Sequence, residues 1–291
     1  MDPVLEFLSE NSSSIRTPKS RSTYREQLCA TERALGKCLL EASGEELVSH
    51  LQACGLAPST VKLRRSVLRS FYRWAVRSGR LDRDPTLALD DMKVQARPVR
   101  RHNWLSPEEV GRLLDHWDDT PAGVRNRAGV ALLALCGLRA SEAVGLTWGD
   151  VDLDRRQLHV LGKGGKHAEV GIPSEAAKRL RLWRERLDAV GWETQWVLPA
   201  LAHTHVGWVL RGGPLSYKGL LAAVAGGASD LFGRRVRLHD LRRSLAGMLE
   251  DRGVPVTDIQ RVLRHSSVAT TQRYLADNPS KGVQVLQDFE L

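Results

Sequence analysis

Residues 238–274 read LHDLRRSLAGMLEDRGVPVTDIQRVLRHSSVATTQRY. The stretch opens with His239-Asp240-Leu241-Arg242, a spacing that sets His239 and Arg242 on one helical face. It ends with His265 and, nine residues later, Tyr274. Taken alone these pairs say little, because nine histidines in a chain of 291 residues with 34 arginines give about one such His-to-Arg spacing by chance. The order of the whole set says more. Upstream, Gly137-Leu138-Arg139-Ala140-Ser141-Glu142 falls at a helix junction, and a glycine-rich turn offers Lys163 and Lys166. Two arginines, a lysine, two histidines and a tyrosine are the residue types needed to attack a phosphodiester covalently without a metal.

The reason is charge. Attack on a phosphodiester builds negative charge on the non-bridging oxygens, and two guanidiniums that never lose their protons can hold both. Arg139 and Arg242 fit that clamp. A tyrosine hydroxyl with a reference pKa near 10 is a weak nucleophile at neutral pH and needs a base and a positive field. His239 and the arginines would supply both to Tyr274. The departing sugar 5′-oxygen needs a proton, which a lysine on a turn can deliver. Lys163 is the expected donor, with Lys166 as the second candidate.

Working outward, Gln157 to Pro173, QLHVLGKGGKHAEVGIP, reads as two short β-prone segments around a turn at Gly162 to Lys166. The turn has neither the gap nor the following Ser or Thr of a phosphate-cradling P-loop, so ATP use has no support. From Ser174 onward the pattern is helical, with breaks expected at Gly212-Gly213-Pro214, at Gly226-Gly227 and at Gly253 to Pro255. Ser106-Pro107-Glu108-Glu109 is a capping box with Pro at the first helical position, so a helix starts there.

The first hundred residues carry 17 basic and 12 acidic side chains and a helical apolar pattern throughout, which predicts an all-α bundle. Within it, Thr60 to Arg80 holds seven basic residues and no acidic one. At about 100° per residue, Lys62, Arg65, Arg69, Arg73, Arg77 and Arg80 share one face, with Leu63, Val67, Phe71 and Trp74 opposite. No acidic side chain at helical spacing partners these charges within the helix, so the stripe is expected to track phosphates. Asp84-Pro85 punctuates the bundle, and Asp91 to Asn103 reads as a basic linker. The expected organisation is a helical domain over residues 1–90, a linker over 91–104 and a second domain over 105–291. The fold class is mainly α, an N-terminal helical bundle followed by a mixed α/β domain with a small antiparallel sheet.

Composition agrees with a nucleic-acid partner. A formal charge of +9, from 43 basic against 34 acidic residues, and a pI near 9.7 favour a polyanion. A hydrophobic fraction of 42% excludes global disorder. There is no apolar run long enough to span a membrane and no secretory leader pattern, so a cytoplasmic protein is expected. Cys29, Cys38, Cys54 and Cys136 lack the spacing of a zinc knuckle or a disulfide framework. His203-Thr204-His205 has no neighbouring ligand to complete a metal site, and no cofactor is expected.

Residues 137–153, 162–166 and 238–274 together resemble the tyrosine recombinase and integrase family, most closely its Xer-like and phage-integrase members. The resemblance runs through the whole second domain. More loosely, it likens the first to the family's SAM-like core-binding domain. It implies that Arg139 and Arg242 bind phosphate, that Lys163 is the general acid and His239 the acid/base histidine. It further implies that His265 hydrogen-bonds the phosphate, that Tyr274 is the nucleophile, and that Glu142 supports the active site from behind. The implied activity is site-specific recombination of double-stranded DNA through a 3′-phosphotyrosyl link and a Holliday junction, for integration, excision or resolution. A homo-tetramer on two DNA sites is implied, with accessory DNA-bending proteins possible. Type IB topoisomerase chemistry and a catalytically silent DNA-binding relative are the alternatives. Three departures stand out. Arg264 occupies the usual glycine before the second histidine, His167-Ala168 replaces a frequent arginine, and 17 residues follow Tyr274, so any helix given to a neighbour is expected to be short. The short N-terminal lead leaves little room for a separate arm-binding domain, which favours a simple-site recombinase or a small integrase.

Overall fold

The computed structural model describes residues 2–15, 17–94, 104–162 and 167–264. The chain divides into two compact units, Met1–Arg100 and Arg101–Leu291.

The first unit is helical. Helices α1 (Pro3–Glu10), α2 (Pro18–Leu35), α3 (Gly44–Ala53) and α4 (Pro58–Arg77) are joined by short connections, and a 3₁₀ turn at Pro85–Leu89 closes the unit. Caps set the helix starts: Asp2 accepts from Val4 N at 2.8 Å, and Ser43 and Glu46 form a reciprocal box at the start of α3. Phe7 lies at the centre of the core, its ring 5.5 Å from those of Phe71 and Trp74. Gly44 sits where a Cβ would come within 2.8 Å of the Pro85 carbonyl oxygen and of Ala88 Cβ, so α3 meets the closing turn backbone to backbone.

The stripe expected on α4 is there in part. The buried face runs through Val61, Arg64, Val67, Leu68, Phe71, Tyr72, Trp74 and Ala75 and is centred on Arg64, so the stripe lies opposite the core. Leu63 was expected inward but is 41% exposed, because it falls outside that arc. Arg80 leaves the stripe: α4 ends at Arg77, and Arg80 pairs with Glu6 and lies over the Trp74 ring at 4.4 Å. The centre of the buried face is polar, with Arg64 Nε donating to Gln27 Oε1 at 3.0 Å and Nη1 lying 3.1 Å from His50 Nε2.

The second unit is built around α6 (Pro121–Ala134), which is buried on nearly every side, its inward polar side chains joined to each other as Arg125 Nη2 donates to Asn126 Oδ1 at 2.9 Å. Around it pack α5 (Pro107–Leu114), α7 (Ala140–Val144), α8 (Ser174–Ala189), α9 (Tyr217–Phe232) and α10 (Leu238–Asp251), with α11 (Val256–Val262) against α10. The box at Ser106 forms as read, Glu109 N donating to Ser106 Oγ at 3.2 Å and Ser106 N to Glu109 Oε2 at 3.0 Å. Strands β1 (Val151–Asp152), β2 (Gln157–Leu161) and β3 (His167–Gly171) form an antiparallel sheet in which Leu161 pairs with His167.

Two expectations about the helical second half are corrected. Residues 199–214 are a second hairpin, β4 (Pro199–Thr204) with β5 (Gly207–Pro214), whose turn depends on Gly207 at φ +103°. Its turn lacks the usual Asn-Gly signal, and Gly212-Gly213-Pro214 lies inside β5 rather than between helices. Gly226-Gly227 is no break either. It lies inside α9, and a Cβ on Gly227 would come within 2.9 Å of both His116 and Trp117, so the glycine serves close packing.

Candidate active site

Three segments converge at one end of α6. The helix ends into Cys136-Gly137-Leu138, and Gly137 adopts φ +63° where a Cβ would approach Leu245 Cδ2 to 2.8 Å and Leu263 Cδ2 to 3.2 Å. Only glycine fits both constraints. The turn delivers Arg139 to the start of α7, where Glu142 reaches back to it. Arg139 N donates to Glu142 Oε2 at 2.8 Å and Arg139 Nη1 to Glu142 Oε1 at 2.6 Å.

The second segment is α10, anchored from outside by Leu105 N, which donates to Ser244 Oγ at 2.7 Å. Its first turn presents His239, and Arg242 follows three residues on. Arg242 is 1% exposed, and its two terminal nitrogens donate to the carbonyls of Gly137 and Leu263. The third segment is the end of α11. Arg264 there has φ +52°, its carbonyl accepts from Arg139 Nη2 at 3.0 Å, and its Nη2 donates to Glu142 Oε2 at 2.7 Å.

Two guanidiniums, those of Arg139 and Arg264, thus flank one carboxylate, while Arg242 is held beside them by main-chain carbonyls. Burial alone would raise the Glu142 carboxyl, but the hydrogen bonds from Arg139 and the charges of Arg264 and Arg139 outweigh it, and its pKa falls below the usual value. It stays ionised at neutral pH. The His239 ring reaches the surface, yet the protein around it withdraws water, and Arg243, Arg242 and Arg139 add positive charge against the opposing pull of Asp240. Its pKa is lowered, so the imidazole is neutral at neutral pH and can take a proton. Cys136, adjacent to the turn, is not a competing nucleophile: burial pushes its thiol up to about 12.

Known proteins match both units. The phage integrase family matches over residues 103–281, and the phage integrase N-terminal SAM-like domain over residues 5–79. The chain belongs to the phage integrase family. It is similar to the tyrosine recombinase XerC of Xanthomonas campestris pv. campestris, 35% identical over 222 residues that cover 76% of this chain and 64% of that protein. This integrase-family chain thus spans less than two thirds of that relative. It is also similar to the tyrosine recombinase XerC of Chromobacterium violaceum, 30% identical over 285 residues that cover 94% of this chain and 90% of that one. A crystal structure of a lambda integrase dimer bound to a COC′ core site shares the fold. Its TM-score is 0.70 at 19% identity, covering 94% of this chain and 75% of that one.

Of the site residues expected from sequence, the structure brings Arg139, Glu142, His239 and Arg242 of this integrase-family chain together. Lys163, Lys166, His265 and Tyr274 lie outside the described residues. Among the described residues, no group of three His, Cys, Asp or Glu forms a metal-ligand set, and His203 instead packs against Trp208, ring centroids 5.1 Å apart. No described helix is long and apolar enough to cross a membrane.

In the first unit, Lys62, Arg65, Arg69 and Arg73 line one groove of about 450 Å³ with Ser66, Ser70 and Val94, while Arg77 lies outside it. Two of these cations are engaged locally: Arg69 pairs with Asp90, and Arg65 Nη1 donates to the Met92 carbonyl at 3.0 Å. Arg264 has a place in the site that the sequence reading did not assign. The signal was its position, an arginine where the chain turns tightly.

Proposed function

We propose that this chain is a site-specific DNA recombinase that breaks and rejoins duplex DNA through a 3′-phosphotyrosyl intermediate. The observation that carries the reading is the meeting of Arg139 and Arg242 at the Gly137–Glu142 turn, with His239 on the same helix as Arg242, in a member of the integrase family. The two guanidiniums hold the non-bridging oxygens of the scissile phosphate as charge builds on them. His239, neutral at rest, takes the proton of Tyr274 as its oxygen bonds to phosphorus. The bond from phosphorus to the 5′-oxygen breaks, its electron pair stays on that oxygen, and Lys163 protonates it, with Lys166 as the second candidate. His265 hydrogen-bonds the phosphate. The freed 5′-hydroxyl attacks the phosphotyrosine of the partner strand, through a Holliday junction. Phosphodiester energy is conserved in the tyrosyl bond, so the steps balance without ATP or another cofactor.

Residues 1–90 form the core-DNA-binding domain, 91–104 the linker and 105–291 the catalytic domain. Lys62, Arg65, Arg69, Arg73 and Arg77 follow the DNA backbone opposite the core of the first domain. A homo-tetramer assembled on two DNA sites, in the cytoplasm and with accessory DNA-bending proteins at some sites, completes the reaction. The integrase matches favour recombination over the type IB topoisomerase and silent-relative alternatives.

The test uses a pool of nicked duplexes with a randomised core, in which the nick lets the leaving strand diffuse away and traps the covalent link. Wild-type protein is expected to form an adduct that survives denaturation, and Tyr274→Phe to bind the same duplexes without forming it. An adduct of Tyr274→Phe at the wild-type level would remove Tyr274 from the role.

A further inference from the structure

The site contains a third arginine that the clamp chemistry does not use. Arg264 follows α11 with φ +52°, a conformation that glycine adopts without strain and an arginine rarely does. A side chain kept there against its backbone preference needs a compensating contact. It has one: Nη2 donates to Glu142 Oε2 at 2.7 Å and lies 3.5 Å from the Gly137 carbonyl oxygen. The side chain is 13% exposed and that of Glu142 4%, so the guanidinium faces inward and is not placed to grip DNA directly.

The charge count decides what the contact does. Glu142 binds the Arg139 guanidinium through Oε1 and the Arg264 guanidinium through Oε2, which also accepts from the Arg139 backbone N. With a glycine at position 264 the carboxylate would belong to Arg139 alone, and the pair would be close to neutral when seen from the phosphate. With Arg264 present, the carboxylate is shared between two cations and the cluster keeps a net positive charge beside the phosphate clamp. The main chain adds a second link, since the Arg264 carbonyl accepts from Arg139 Nη2 at 3.0 Å.

We infer that Arg264 is a positioning residue that acts as counter-ion to Glu142, so that the charge of Arg139 remains directed at the scissile phosphate. The inference rests on the recombinase reading, and its experiment separates the two. Arg264→Gly, Arg264→Lys and the double variant Arg264→Gly with Glu142→Gln are compared with wild type on the nicked duplex pool. Three quantities are read: DNA affinity, adduct formation rate at saturating protein, and melting temperature.

Arg264→Gly removes the charge and relieves the backbone. It is expected to bind DNA within about twofold of wild type and to melt no lower, while forming adduct about tenfold or more slowly. Arg264→Lys, which restores the charge, should recover part of the rate. The double variant, which removes the carboxylate to be countered, should recover part of it too. An Arg264→Gly rate within about twofold of wild type would overturn the inference, as would a fall in rate matched by falls in melting temperature and affinity, the mark of a purely structural staple. Failure of both Arg264→Lys and the double variant to recover any rate would overturn it as well. A wild-type protein that forms no adduct at all overturns the recombinase reading, and this inference with it.

Discussion

Arg139 and Arg242 are held by consecutive peptide carbonyls: Arg242 donates to the carbonyl of Leu263 and Arg139 to that of Arg264. The guanidiniums therefore take their relative position from one short piece of main chain, where α11 ends. Fixed planes of this kind suit transition-state binding, because the donors need not reorganise as charge develops.

Gly137 sits on the other side of the same arrangement, and its carbonyl accepts from Arg242. Gly137→Ala meets both an unfavourable φ and two leucine methyl groups, so it is expected to destabilise the protein by about 1–3 kcal/mol. Chemical denaturation measures this directly. The adduct rate should fall further than the stability change alone would require, because the carbonyl that orients Arg242 moves. An alanine variant with unchanged stability would mean that the turn tolerates a side chain.

His239 should titrate below the 6.5 of an unperturbed imidazole. Desolvation and then the charge of Arg243 lead the causes, ahead of Arg242 and Arg139, with Asp240 opposing. Arg243→Ala removes the leading positive charge, so the pKa of His239 should rise in that variant. Proton NMR of the imidazole against pH reads both values. In wild type, the rate of adduct formation should hold as pH falls through 6.5 and decline only below it, because the proposed mechanism takes the neutral ring as the base. A midpoint at or above 6.5 in wild type would contradict this account. The stability linkage has the same sign: a depressed folded pKa favours folding above the unfolded value, and that contribution is lost as pH falls.

The groove on α4 predicts different salt behaviour for neighbouring arginines. Arg73 is exposed, whereas Arg69 is already paired with Asp90. Log affinity for random DNA falls with log salt by about 0.9 per phosphate neutralised. Arg73→Ala should flatten that slope by about one such step, and Arg69→Ala by less. Asp90→Ala should steepen it by releasing Arg69. Binding titrations at three salt concentrations measure all three, and identical slopes would leave this face as plain surface.

What could be read in the sequence was local chemistry. The box at Ser106, the hairpin at 157–173 and the helical face shared by His239 and Arg242 each depend on residues within a few positions of one another. Arg64 shows the limit. It belongs to the same basic run as Arg65, yet it points into the core because the buried arc of α4 is centred on it, with Gln27 and His50 arriving from other helices. Gly227 shows another, since a glycine inside a helix reads as a break unless the aromatic rings above it are known. Arg264 could be seen only as an oddity. Its partner, Glu142, lies 122 residues away.

That separation has a consequence for synthesis. Arg139 leaves the ribosome 125 residues ahead of the carbonyl that fixes it, and Gly137 precedes Arg242 by 105. The N-terminal unit draws its core from its own residues and can fold while the rest is still being made. The pairing of Arg139 and Arg242 with the carbonyls of residues 264 and 263 cannot form so early. A polypeptide interrupted before residue 263 would carry a folded N-terminal unit while Arg139 and Arg242 still lacked the carbonyls that set them.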